Sequence, residues 1–425
     1  MIEIICVFVY LKSPLSPILC LAQKINNNKK DTPMRPLQNL KILDFTTLVP
    51  GPFATMMLAD MGADILRVES PTRPDMVRAM PPYADGTSTG HGILDRNKRS
   101  IGLDLKKPEA VAIAKQLLAE YDIVIEQFRP GVMDRFGLGY KDLREINPGI
   151  IYCSITGYGQ TGPNRDRAGH DNNYLSLSGL NGYSGRQNER TPIMGMPIAD
   201  LAGGSLHGVI GILAAVNQRH ITGQGQHVDI SMTDAMFAMN SLFGSNYLAA
   251  GTEPESGGTN LNGGSFYDYY RTADGRHLSI GSLEPQFFQQ LCATLNDSSL
   301  LELANPMDPD AQRLLRQKIS AIIEQKPLQE WVAIFADKDC CVEPVLTFAE
   351  ASASEHVVAR DLVVDVQTHE GGVQKQIGSA IKFSNSTPDY GSIGVPLGQH
   401  NHEVLKALGL DDAAIQAAKD AGAFG

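Results

Sequence analysis

Cysteine is scarce in this chain: six residues in 425, at Cys6, Cys20, Cys153, Cys292, Cys340 and Cys341. None stands at the short paired spacing of a structural zinc site, which excludes a cysteine-built zinc module and fits a reducing, cytoplasmic setting. Basic residues are also short, 36 Lys and Arg against 47 Asp and Glu, for a formal charge of -11. A surface that binds nucleic acid or anionic lipid by counterion release needs the opposite balance, so neither partner is expected. Any polyanionic ligand must meet a local basic cluster.

Long apolar runs are missing as well. The run from Ile4 to Leu11 is broken by Lys12 and Pro14, resumes to Ala22 and gives way to KINNNKKD. Neither part approaches the roughly 20 residues that span a bilayer, and Glu3 stands where a signal peptide wants a basic residue. Residues 1–33 read as an upstream extension, with Met34 as the natural start. There is no internal repeat, and the Asn/Lys stretch is the only low-complexity segment.

What is present is an ordinary globular balance, 43% apolar and 20% charged, in a chain too long for one core, so two domains are expected. From Leu40 onward short apolar runs alternate with helical stretches: KILDF, PFATMMLADMG, ADILRVE, SIGLDL, a helix near Glu109 to Tyr121, IVIEQF and GIIYCSI. Strands separated by helices imply crossover units and a parallel sheet, an α/β class. A long glycine-containing loop then runs to about Asp200, where LAGGSLHGVIGILAAVNQRH reads as a buried helix with a small-residue face.

After Gly223 the texture changes. HVDISMTDAMFAMNSLFGSNYLAAG reads as helical, and DYYRTADGRHLSIGS as a hairpin turning at Asp274 and Gly275. CCVEPVL reads as a buried strand, with Cys340 and Cys341 structural rather than a redox pair. A large domain is expected over 34–229 and a small α+β domain over 230–360, with 361–425 returning to the large domain and ending in a helix.

Two motifs are declined. Gly157, Gly159 and Gly162 satisfy G-x-G-x-x-G after GIIYCSI, but Pro163, Asn164, Arg165 and Asp166 follow, so no helix opens there to receive a pyrophosphate. Gly86, Ser88 and Gly90 satisfy G-x-S-x-G without the preceding strand that a nucleophile elbow needs.

The stretches LKILDFTTLVPGPFATMMLADMGADILRVESP, RNKRSIGLDLK, EQFRPGVMDRFGLGY and SITGYGQTGP occur in order between Met34 and Leu410. Together they resemble the landmarks of the family III CoA-transferase superfamily. AGHDNNYLSLSGL and YRTADGRHLSIGSLEPQFF resemble its α-methylacyl-CoA racemase branch. The resemblance implies a Rossmann-like large domain with a parallel sheet, a smaller domain, and two subunits interlocked as a homodimer. It also implies an acyl-CoA substrate, CoA lying on the large domain and the acyl part reaching a cleft shared with the partner's small domain.

Racemisation next to a thioester needs a base on one face of the α-carbon and an acid on the other, each typically contributing about 10²- to 10⁴-fold in rate. The resemblance places His170 and Asp200 in these roles. Read alone, His170 is a loop residue and Asp200 a helix N-cap, whose nearby N–H donors would also suit an enolate oxygen. Glu284 matches the acid that pairs with the histidine, though alone it reads as the residue before a Pro-initiated helix. Asp171 is either a support for His170 or a plain loop residue.

For the phosphates of CoA the matching positions are Arg67, Lys98, Arg99 and Arg129. One departure stands out: the branch carries Asn four residues before the catalytic Asp, and here Met196 occupies that position. No cofactor and no metal is expected, because the thioester itself acidifies the proton to be moved. The alternative within the superfamily is a CoA-transferase, in which an aspartate carries CoA as an aspartyl thioester and no second proton-transfer group is needed.

Overall fold

A computed structural model describes residues 34–305 and 307–424. The extension expected over 1–33, with Cys6 and Cys20, lies outside the described residues. The chain enters through β1 (Lys41–Asp44), the helix Pro50–Asp60 and β2 (Asp64–Glu69), then a short hairpin of β3 (Tyr83–Ala84) and β4 (Thr87–Ser88). It continues through β5 (Arg99–Gly102), β6 (Ile123–Glu126), β7 (Ile151–Thr156) and β8 (His227–Ser231).

Six of these strands form one sheet in the order β5-β2-β1-β6-β7-β8, every pair parallel. Alternation of side chains explains the layers on either face. Ile42, Ile65, Ile123, Ile125, Ile151 and Cys153 face one core, shared with the helices Pro50–Asp60 and His207–Thr222. Leu43, Leu66, Val124 and Tyr152, the residues between, face a second core with the helix Pro108–Leu117. A sheet covered on both faces reads as continuous apolar runs, which is why KILDF and IVIEQF carry no polar alternation. The strand order reverses between β1 and β6, the topological switch point where open α/β sheets open a crevice at the carboxyl ends of their strands.

β8 corrects the sequence expectation of a helix over HVDIS: this segment pairs with β7 along its whole length, and the helix starts only at Met232. Just beyond β8, Met232, Ala235 and Met236 are buried in the first core. Residues Ala199–Thr222 are apolar and long enough to cross a membrane by length and composition. Here Val209, Ile212, Ala215 and Val216 are spent on the first core. The small residues have a purpose: a Cβ on Gly204 would lie 2.9 Å from Pro50 Cβ, and one on Gly208 would lie 2.9 Å from Ile155 Cδ1. Only glycine lets this segment lie so close to the sheet.

The smaller body is an antiparallel sheet of β9 (Asp268–Arg271), β10 (His277–Ile280) and β11 (Val342–Pro344), with β10 central. Its hairpin turns at Asp274 and Gly275, the latter at φ 78°. Helices Pro285–Thr294 and Pro309–Ile323 cover it around Trp331, Leu291 and Leu315. Cys340 is buried and hydrogen-bonded through its carbonyl to Ser282, while Cys341 is exposed. A second hairpin, β12 (Val363–Gln367) and β13 (Val373–Ile377), receives a hydrogen bond from Arg96 to the Ile377 carbonyl at 2.7 Å. The last helices come back to the large sheet, where Asn401 Oδ1 accepts from Gly102 N–H at 2.8 Å and Phe424 joins the second core.

Candidate active site

A cavity of about 470 Å³ opens at the switch point, between the carboxyl ends of β1, β6 and β7. Leu48 and Pro50 form one side and Gln127 to Pro130 another, tied together where Gln127 Oε1 accepts from Gly51 N–H at 3.2 Å. His170, Asn173 and Asp200 line the far wall. The structure therefore brings His170 and Asp200, 30 residues apart in the chain, to one cavity.

His170 is the N-cap of the helix Asp171–Leu177, and its backbone N–H is held by Asn173 Oδ1 at 3.0 Å, leaving the ring exposed to the cavity. The preceding loop is packed by two tyrosines in an edge-on pair with centroids 5.3 Å apart, Tyr158 and Tyr174. Tyr174 is buried and donates its hydroxyl to the Gly169 carbonyl at 2.5 Å. A Cβ on Gly157 would lie 2.4 Å from the Tyr174 ring. The declined glycine motif thus makes room for an aromatic, and no helix begins between it and Asp171. Ser88 of the other declined motif is buried and donates to the Met80 carbonyl at 2.6 Å.

Asp200 lies in the first turn of its helical segment rather than at the N-cap, which is Ile198. Asp171 neither supports the His170 ring nor idles in a loop: its Oδ1 accepts the backbone N–H of Ala199 at 2.6 Å and of Asp200 at 3.1 Å. These are the donors expected to serve an enolate, so the helix start is already spoken for. Met196 is left half exposed. Burial, and then the Asp171 charge, push the Asp200 carboxyl up to about 6 against the opposing pull of His170.

Of the four cationic positions, only Arg129 reaches the cavity; it is exposed and makes no ion pair among the described residues. Arg67 and Lys98 are corrections. Arg67 is 1% exposed, clamped between Asp75 and Asp95, and Lys98 Nζ sits 3.1 Å from Asp95 Oδ1. Burial alone would raise Asp95, yet the charges of Arg67 and Lys98 hold it well below the usual carboxylate range. The work of this network is to brace the loop after β1: Asp75 Oδ2 accepts from Leu48 N–H at 2.9 Å. Arg99 opens β5 at the opposite edge of the sheet, paired with Asp64 at 2.9 Å and Glu403 at 3.2 Å. None of the three is free to meet a phosphate in the cavity.

Glu284 is exposed in the smaller body, as the N-cap of Pro285–Thr294, and within this chain does not line the cavity with His170. Sequence reasoning missed Arg165 and Arg167, which line the cavity five and three residues before His170 in the same loop; that proximity was the available signal. It also missed Glu126, buried at the end of β6 and pushed up to about 7 by burial. Among the described residues no cluster of His, Cys, Asp and Glu has the geometry of a metal site.

Strand order, switch-point cavity and the cationic and proton-exchanging groups around it define a doubly wound α/β protein with an enzyme-like cleft. The model of CoA-transferase family III matches residues 37–401, and the chain belongs to that family. It is similar to human alpha-methylacyl-CoA racemase, with 35% identity over 375 residues covering 88% of this chain and 93% of the racemase. It is nearly as similar to human succinyl-CoA:glutarate CoA-transferase, with 34% identity over 388 residues covering 90% and 88%. A CAIB/BAIF family protein from Brucella suis superposes with a TM-score of 0.77 at 30% identity, covering 88% of this chain and 99% of that one.

Proposed function

We propose that the protein is a racemase that interconverts (R)- and (S)-2-methylacyl-CoA thioesters by 1,1-proton transfer through an enolate. The observation that carries this reading is the convergence of His170 and Asp200 on one cavity, with the Asp200 carboxyl pushed up to about 6. A carboxyl near neutrality both gives and takes a proton at little cost, which is what a reversible proton exchange asks of it. In one direction the Asp200 carboxylate removes the α-proton and the protonated His170 ring returns one to the other face. In the reverse direction the neutral ring removes it and the Asp200 carboxyl returns it. Arg129 supplies a charge for a CoA phosphate. The chemistry calls for no cofactor or metal, and exhaustive chelation is expected to leave activity intact.

A homodimer in a reducing, cytoplasmic setting belongs to the same proposal. Ile210, Phe237, Leu242 and Leu248 are 59–75% exposed, apolar side chains that a partner subunit would cover. A partner covering this surface would also offer a way for its Glu284 to approach a histidine that Glu284 of the same chain does not reach.

The runner-up is a CoA-transferase, favoured by the near-equal likeness to the human transferase. Deuterium exchange separates the two. With pure enantiomers of 2-methylacyl-CoA in deuterated water, the wild type is expected to incorporate deuterium at the α-carbon of both. His170→Ala should exchange one enantiomer only, and Asp200→Asn the other. Absence of exchange in the wild type with every 2-methylacyl-CoA, together with an Asp200 adduct trapped by hydroxylamine during turnover of a CoA donor with an acceptor acid, overturns the racemase in favour of the transferase.

A further inference from the structure

Beside the cavity, a group outside the proton-transfer machinery is wired to it through the backbone. Glu126 ends β6 buried, three residues before Arg129. Its Oε2 accepts the Phe128 N–H at 2.8 Å, and the turn closes where Val132 N–H donates to the Arg129 carbonyl at 3.1 Å. On β7, its register partner Ser154 stands beside the same residue and shares a 2.9 Å hydrogen bond with His227 Nε2 on β8. His227 is itself fixed by stacking on Tyr140 with centroids 5.3 Å apart. A line of contacts therefore runs across three strands from the sheet edge to the turn that carries Arg129.

We propose that Glu126 is a positioning residue for CoA binding: its carboxyl oxygen, steadied by Ser154 and His227, fixes the Phe128 amide and thereby aims Arg129 into the cavity. The inference rests on the reading that this cavity takes a CoA thioester. The required property is the acceptor oxygen rather than the charge. Burial pushes the carboxyl up to about 7, with Ser154 and Phe128 opposing and Asp134 and Asp229 reinforcing. Protonated or not, one oxygen remains to accept from Phe128.

The test uses free CoA as the probe, so it does not depend on which reaction follows. Isothermal titration of the full chain is expected to give a Kd about tenfold weaker for Glu126→Ala, the loss of one hydrogen bond to a carboxyl group. Glu126→Gln, which keeps the oxygen, should bind as the wild type does. Glu126→Ala with Arg129→Ala should bind no more weakly than Arg129→Ala alone, because Glu126 acts through Arg129. Hydrogen exchange gives a readout that a general loss of stability would not localise: the Phe128 amide exchanges faster in Glu126→Ala and stays protected in Glu126→Gln. Should Glu126→Ala fail to fold, Ser154→Ala carries the test, with a weaker Kd and faster Phe128 exchange expected. A weaker Kd in Arg129→Ala with an unchanged Kd in Glu126→Ala and Ser154→Ala overturns the inference alone. An unchanged Kd in Arg129→Ala overturns the reading of the cavity and this inference with it.

Discussion

The carboxylate of Asp171 accepts the backbone N–H of Asp200 at 3.1 Å, so the residue that follows His170 in the chain anchors Asp200 at the same cavity. Two effects follow from one side chain. Its oxygen fixes where Asp200 stands, and its charge raises the Asp200 carboxyl. Asp171→Asn separates them, since the amide oxygen still accepts while the charge is gone.

That variant is expected to fold and to shift the pH profile. Both directions draw on the His170–Asp200 pair while it holds a single proton, so kcat/KM for both enantiomers should fall together as pH drops through about 6 in the wild type, where Asp200 takes up a second proton. Removing the Asp171 charge lowers the Asp200 pKa, so the acid-side midpoint shared by the two enantiomers should move to lower pH. Profiles of kcat/KM for each enantiomer check this, and midpoints that stay fixed would take the charge of Asp171 out of the account.

Arg67 and Arg129 should part company on mutation. Arg129→Ala is expected to raise KM for acyl-CoA with kcat nearly kept, because a phosphate contact is present in ground and transition states alike. Arg67→Ala leaves Asp75 and Asp95 buried without their shared cation, a change that costs about 3–5 kcal/mol. Denaturant titration should show that loss for Arg67→Ala and almost none for Arg129→Ala.

Tyr174→Phe removes the hydroxyl that holds the Gly169 carbonyl, next to His170. The buried hydrogen bond is worth about 1 kcal/mol, so the melting temperature should fall modestly. Because the loop it steadies ends on His170, assigned to proton transfer in the proposed reaction, kcat should fall more than KM rises. Steady-state kinetics beside thermal unfolding distinguishes this from a purely structural loss.

The parallel sheet was legible in the sequence because buried strands write themselves as apolar runs between helices, and KILDF, ADILRVE, IVIEQF and GIIYCSI all became strands of one sheet. HVDIS was not, since an edge strand with a polar residue at Asp229 lacks that run and flows into a helix without a turn residue between. His170, Asp200 and Arg129 were legible through a family pattern, and the structure gathers them at one cavity. Arg67 and Lys98 looked the same as Arg129 in that pattern. What separates them is partnership: Asp75 and Asp95 claim those charges, and Asp75 is only eight residues from Arg67 but unmarked as its partner. Glu284 matches the pattern as His170 does, but order along the chain carries no distance, and within this chain the two stand apart.

The Asp171 tether has one more consequence, for what is free to change. Between the helix Asp171–Leu177 and Asp200 the chain wanders through exposed residues such as Ile193, Met194 and Met196. In most loops the length of such a stretch would set how far apart its two ends lie. Here the ends are clasped directly, so the excursion is a closed ring whose rim does not bear on the clasp. Insertions, deletions or exchanges along residues 183–196 should leave the spacing of His170 and Asp200 unaltered.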